Sequence, residues 1–144
     1  LVAAGVTYPC FCTRREIRDA STAPHGPSSE GLYPGTCRHL SASECAAREQ
    51  SGRRPALRLR ADGRSLAVVD GLLGKRTAQV DDFVLRRADG QVAYNLAVVV
   101  DDADQGVDQV VRGDDLWETT PRQVLLQHLL GLPTPSYLHV PLVL

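Results

Sequence analysis

Three of the chain's four cysteines fall in two short frames, YPCFC at residues 8–12 and YPGTC at 33–37. No other feature of the sequence restricts the fold as much. Cys10 and Cys12 have one residue between them, a spacing at which a disulfide is strained. A turn at Pro9 instead aims both sulfurs into one space, where Cys37 can join them. Thiolates gathered this way call for a cation, and zinc takes four ligands in a tetrahedron with sulfur at about 2.3 Å. On spacing and chemistry alone the fourth ligand stays open among Cys45, His39, His25 and Tyr33. Cys45 or His39 ranks above Tyr33, because a phenol with an ordinary pKa of about 10 ligates only after yielding its proton to the metal's field. The bland alternative is a group of small buried thiols packed as apolar side chains.

The composition around these frames is that of a globular domain: 144 residues, 43% hydrophobic and 23% charged. A net charge of −1 excludes global steering toward nucleic acid. Lys75 is the only lysine, so the positive charge is almost all arginine. No basic leader with an apolar core opens the sequence, and no apolar run reaches membrane length. The chain therefore reads as cytoplasmic, without a membrane partner, where thiols stay reduced and free to bind metal. The absence of methionine and the terminal run LHVPLVL read as the interior of a longer protein.

Along the chain, residues 1–20 read as a short helix end, the cysteine pair, and a helix starting at Thr13 in a T-x-x-E capping box. The Ser-, Gly- and Pro-rich stretch at 21–36 is loop. SASE at 41–44 starts a second helix that runs to about Gln50 and stops at Gly52. ALRLR at 56–60, SLAVV at 65–69 and FVLRR at 83–87 read as strands, the last turning at Asp89-Gly90 into QVAYN as a hairpin. YNLAVVVDD at 94–102 has the β-branched character of a buried strand, and GVDQVVRG at 106–113 is another strand. A helix capped by Thr119 or Thr120, with Pro121 at its first position and Gly131 at its end, precedes a tail strand at 139–144. Alternating strands and helices favour an α/β domain with a parallel sheet.

Two blocks carry a resemblance: YPCFCTRREI with GLYPGTCR, and the stretch from DFVLRRADGQVAYN through RGDDLWETTPRQ to LHVPLVL. Together they resemble the glutamyl-queuosine tRNA(Asp) synthetases, short relatives of glutamyl-tRNA synthetase among the class I aminoacyl-tRNA synthetases. The C-terminal block is shared with ordinary glutamyl-tRNA synthetases, and the Cys-x-Cys with Tyr-x-x-x-Cys is the more discriminating part. The resemblance implies a Rossmann-type α/β catalytic domain, with a zinc-binding inserted segment at 1–55 and the later half of the domain at 56–144. It implies zinc on Cys10, Cys12, Tyr33 and Cys37, so that Tyr33 takes the fourth place. Three thiolates and a phenolate outweigh the charge of the ion, so Arg14, Arg15 or Arg38 should compensate nearby. It also implies L-glutamate contacts from Tyr94 and Arg112, and a helix rather than a strand at 94–102.

The implied activity is activation of glutamate with ATP and its transfer to queuosine at the wobble position of tRNA(Asp), by a monomer. Neither ATP-handling motif of class I synthetases occurs: His25, His39, His128 and His139 form no His-x-Gly-His, and Lys75 sits in GLLGKRT rather than in a Lys-Met-Ser-Lys-Ser loop. No residue of this chain is therefore expected to be catalytic, and the chain alone is expected to be inactive. Arg112 has a structural alternative, pairing with Asp101, Asp114 or Asp115, and Tyr94 could simply be a core residue. Two other functions compete. One is an ordinary glutamyl-tRNA synthetase fragment, against which RGDDLWETTPRQ lacks the usual His and Asn. The other is a non-catalytic zinc-braced module whose RRPALRLR sets Arg58 and Arg60 toward RNA phosphates.

Overall fold

The first two helices begin with reciprocal capping, as the sequence predicts. Glu16 N–H donates to Thr13 Oγ1 at 3.2 Å and Thr13 N–H donates to Glu16 Oε2 at 2.6 Å, starting α1, Arg14–Ser21. Ser41 and Glu44 repeat the arrangement at α2, Ala42–Gln50. Gly52 follows with φ of 85°, a conformation glycine adopts without steric cost. The computed structural model describes residues 1–21 and 32–143. His25 and most of the Ser-, Gly- and Pro-rich stretch lie outside the described residues.

The chain forms two compact units, Leu1–Asp62 with Asp81–Ala93, and Gly63–Val80 with Tyr94–Leu144. A single division between residues 55 and 56 does not reproduce them, because the strand after it pairs with the strand that carries Cys10. In the first unit an antiparallel sheet has the order β1, Thr7–Cys10; β2, Ala56–Leu59; β5, Val84–Arg86. Residues 7–10 are thus a strand and not a helix end. Pro9 is accommodated because β1 is an edge strand, where a missing N–H leaves no ladder bond unmade. Tyr8, Cys10, Phe11, Tyr33 and Cys37 form the buried core here, with Ile17, Leu40 and Cys45 packed against it. The hairpin expected after β5 is cut to a single bridge, Arg86 to Val92, because the next helix starts at Tyr94.

The second unit holds a four-stranded sheet in the order β4, Gly74–Gln79; β3, Ser65–Asp70; β7, Ser136–Val140; β6, Gln109–Gly113. β3, β7 and β6 run parallel, and β4 lies antiparallel on the edge beside β3. Sequence periodicity misses β4, since GKRTAQ is largely exposed and carries no apolar alternation. The run at 94–102 belongs to a helix, α3, Tyr94–Asp104, of which only Val99 is buried. After β6 a 3-10 turn, Asp114–Thr119, leads into α4, Thr120–Leu130, which ends at Gly131 with φ of 67°. The cap position is Thr119, although its hydroxyl bonds back to the Leu116 carbonyl and not forward into the helix. Val124, Leu125 and Leu126 give α4 its buried apolar residues. No helix among the described residues is long and apolar enough to cross a membrane.

Asp82 ties the first unit together. It is 5% exposed, and its carboxylate accepts from Ala61 N–H at 2.7 Å, Tyr8 hydroxyl at 2.8 Å and Arg38 Nη1 at 2.9 Å. Replacing it by alanine strands the Ala61 N–H and the Tyr8 hydroxyl in a buried site and leaves Arg38 with Asp62 alone. Asp82→Ala is expected to destabilise the fold by about 3–5 kcal/mol, read as a fall in the urea unfolding midpoint. A midpoint unchanged from wild type would show that water satisfies those donors.

Candidate functional site

The two Tyr-Pro frames converge in the first unit as the spacing predicts. The sulfurs of Cys10, Cys12 and Cys37 lie within 4.8 Å of one another. Cys12 Sγ is 3.4 Å from Cys37 Sγ, and the Tyr33 hydroxyl is 3.3 Å from Cys10 Sγ and 3.7 Å from Cys12 Sγ. A tetrahedral ion with bonds of about 2.3 Å to sulfur and about 2.0 Å to oxygen needs ligand separations of roughly 3.5–3.8 Å. The three sulfurs are close enough to hold one metal ion, and the Tyr33 hydroxyl lies beside two of them. No other His, Cys, Asp or Glu among the described residues belongs to such a group. Cys45 packs at the edge of this core, and neither it nor His39 is among the gathered ligands.

Backbone donors shape the site further. Phe11 N–H points at Cys37 Sγ from 3.4 Å, and Cys37 N–H donates to the Tyr33 hydroxyl at 2.9 Å. Burial raises the Cys37 thiol's pKa, but the Phe11 N–H and the Cys12 and Tyr33 side chains outweigh it and lower it overall. The Cys12 thiol is pushed up to about 12, mainly by burial. Burial, with the Cys10 contact, also pushes the Tyr33 phenol well above its ordinary value.

Several arginines surround the cysteine group, each with a partner of its own. Arg15 pairs with Asp19 at the surface, while Arg38 pairs with Asp82 and Asp62. Arg58, only 6% exposed, lays its guanidinium 3.6 Å over the Tyr33 ring and donates to the Asp82 carbonyl at 2.7 Å. Arg60 covers Tyr8 in the same way at 4.7 Å. The strand that could have faced RNA phosphates thus spends both arginines on tyrosine faces.

In the second unit Arg112, near the end of β6, meets none of the acids offered as its structural partners. Its Nε donates to His139 Nε2 at 3.1 Å, its Nη1 to Gln123 Oε1 at 3.0 Å and its Nη2 to Thr120 Oγ1 at 2.6 Å. All three partners are fully or almost fully buried. His139 is backed by Asp70, whose Oδ2 lies 2.7 Å from Nδ1, and Asp70 Oδ1 accepts from Leu72 and Leu73 N–H at 2.9 and 2.8 Å. Burial alone would raise the Asp70 carboxyl's pKa. The Leu73 N–H, the His139 ring and the Leu72 N–H together lower it below its ordinary value. Gln123 Nε2 donates to Asn95 Oδ1 at 3.1 Å, which links Arg112 to the first turn of α3, where Tyr94 is 53% exposed. A core role for Tyr94 is excluded by that exposure.

Sequence reasoning does not single out Asp70, Thr120, Gln123 or His139 for this role. A signal exists nonetheless. Asp70 closes the apolar run SLAVV and His139 interrupts LHVPL, and a polar residue at the carboxyl end of a parallel strand often faces a ligand crevice.

All of residues 1–144 match the family described as tRNA synthetases class I (E and Q), catalytic domain. Proteins named Glutamyl-Q tRNA(Asp) synthetase are similar: that of Nocardia farcinica is 64% identical over 98% of this chain and 45% of its own length. The one from Nitratidesulfovibrio vulgaris is 53% identical over 100% of this chain and 46% of its own. The chain thus spans about half the length of these curated relatives. Among solved structures, a glutamate tRNA ligase from Elizabethkingia meningosepticum in complex with its amino acid superposes with a TM-score of 0.79. It has 24% identity, covering 99% of this chain and 31% of that one. At that identity the likeness speaks for the fold, an α/β catalytic domain.

Two outcomes follow from the geometry. The cysteine group is expected to take up one equivalent of a thiolate-preferring divalent ion, with X-ray absorption showing three sulfur neighbours and one oxygen. Four sulfurs would instead assign the fourth place to Cys45. Asp70, with its lowered folded pKa, should contribute stability fully above its unfolded pKa of about 3.9 and lose it as pH falls through the folded value. The urea midpoints of wild type and Asp70→Asn should therefore differ at pH 6 and approach each other below about pH 4.

Proposed function

This chain belongs to the class I tRNA synthetases of the E and Q type, matching their catalytic domain, and from that premise we propose that the protein containing it activates L-glutamate with ATP and transfers it to queuosine at the wobble position of tRNA(Asp). The observation that carries the reading is Arg112, a half-buried guanidinium held by three neutral acceptors and paired with no acid among the described residues. Three of its five N–H donors are spent on the protein, which leaves two for a ligand. A carboxylate is the ligand that such a fork matches in charge and shape. Tyr94 supplies the hydroxyl that fixes the direction of the bound glutamate.

In the reaction the glutamate α-carboxylate attacks the α-phosphorus of ATP and expels pyrophosphate. The glutamyl group of the adenylate then passes to a hydroxyl of the queuosine ring, and AMP leaves. The residues of this chain bind and orient the amino acid. The phosphates call for positioned cations, and neither class I motif that supplies them occurs in this sequence. The isolated chain is accordingly expected to show no glutamate-dependent ATP–pyrophosphate exchange.

Cys10, Cys12, Tyr33 and Cys37 would hold a zinc ion in a structural role, because four protein ligands leave no position open for water. Relatives at 53–64% identity carry the Glutamyl-Q name, whereas the glutamate tRNA ligase structure stands at 24%. This favours the queuosine base over a tRNA 3′ end as the acceptor.

The test uses the full-length protein and labelled glutamate. Label is expected on tRNA(Asp) that carries queuosine and on no tRNA that lacks it; label at a 3′ end would overturn the assignment. Arg112→Ala should cost on the order of 2–5 kcal/mol, or roughly thirtyfold to several thousandfold in kcat/KM for glutamate. Metal content should stay near wild type, and the unfolding midpoint should fall only modestly as His139, Gln123 and Thr120 lose a buried partner. Normal glutamate activation with early melting would make Arg112 a structural residue instead.

A further inference from the structure

The groups behind Arg112 form a line across three neighbouring parallel strands. Asp70 closes β3, His139 lies one residue from the end of β7, and Arg112 lies one residue from the end of β6. The strands are adjacent in the order β3-β7-β6, and Arg112 and His139 are register partners. All three side chains meet at the carboxyl ends of the strands, where open α/β sheets bind their ligands.

We propose that Asp70 and His139 are positioning residues that set the direction of the Arg112 fork, so that its two remaining N–H groups meet the substrate carboxylate. The proposal rests on the reading of Arg112 as the glutamate-holding group. The hydrogen-bond inventory requires one arrangement. Asp70 is held as an acceptor: Oδ1 takes the Leu72 and Leu73 N–H groups, and Oδ2 takes His139 N–H at 3.0 Å. The ring Nδ1, 2.7 Å from the same Oδ2, must then carry a proton. On the other side, Arg112 Nε–H can only donate, so His139 Nε2 at 3.1 Å is its acceptor, and the Thr120 hydroxyl, which accepts from Arg112 Nη2, lies 3.0 Å from the same nitrogen and can donate to it. The imidazole is neutral with its proton on Nδ1.

Two aromatic rings flank the imidazole. Tyr137 stacks on it at 6.0 Å between centroids, and Trp117 meets it edge-on at 5.5 Å. His139 and Thr120 are fully buried, and Asp70 is 2% exposed. An ion pair built only for stability would place a second proton on Nε2, directed at a guanidinium N–H. Neutral acceptors around Arg112 have the opposite effect: they hold the cation in place and leave its charge for a ligand.

Three measurements on the full-length protein test the proposal. In 15N-histidine NMR, the resonance that vanishes in His139→Gln should report a proton on Nδ1 and none on Nε2 at neutral pH, and in Asp70→Asn the ring signals should shift as Nδ1–H loses its charged acceptor. Asp70→Asn should also raise the KM for glutamate by roughly tenfold or more, as loss of the outer partners of metal ligands does, while leaving the KM for ATP unchanged. His139→Gln, which keeps an acceptor near Arg112, should be milder than His139→Leu.

A wild-type proton on Nε2 overturns the proposal whether or not the variants fold. Equal losses for glutamate and ATP, tracking the loss of folded protein, would reduce the pair to a structural brace. If Arg112→Ala leaves glutamate use intact, the underlying reading of Arg112 fails. If Arg112→Ala is impaired but Asp70→Asn is not, only the positioning role fails.

Discussion

A carboxylate taken out of water costs several kcal/mol unless its lone pairs find donors, and each compact unit is built around one that does. In the first unit Asp82 gathers a backbone N–H, the Tyr8 hydroxyl and Arg38. In the second, Asp70 gathers three backbone N–H groups and the His139 ring. Both acids end or follow a strand and draw distant segments to one point.

The arginines divide by what they meet. Arg58 and Arg60 lie over tyrosine rings, and Arg38 is neutralised by two aspartates. Arg112 is held edge-on by three side-chain acceptors that leave two of its N–H groups unspent, whereas Arg58 and Arg60 lie flat against tyrosine rings. Composition could not distinguish them. An almost lysine-free chain with a net charge of −1 has arginine everywhere, and only the partner of each guanidinium says whether its charge is spent.

Much of the fold is legible where local rules suffice. The capping boxes at Thr13 and Ser41, the stop at Gly131 and the strands ending at Asp70 and Gly113 follow from side chains a few residues apart. Legibility fails where distant partners decide. Residues 94–102 read as a strand by β-branching yet form α3, since a short apolar run has no period that separates the two. β4 has no apolar pattern because its stabilisation is ladder bonding to β3 rather than burial. Thr120 reads as a cap residue, but its hydroxyl is taken by Arg112.

The sequence by itself determined that two Tyr-Pro-x-x-Cys frames could bring soft ligands together, that the chain alternates strands and helices, and that an arginine would stand near the end of the strand read at 106–113. These depend on spacing and local preference, which are written in consecutive residues. Only the tertiary structure decided that the Tyr33 hydroxyl sits among the sulfurs while Cys45 stays outside, that Arg58 covers the Tyr33 ring, and that Asp70, His139 and Arg112 stand in one line. Asp70 and His139 are 69 positions apart in sequence. Parallel strands set them side by side through crossovers whose register no local pattern encodes.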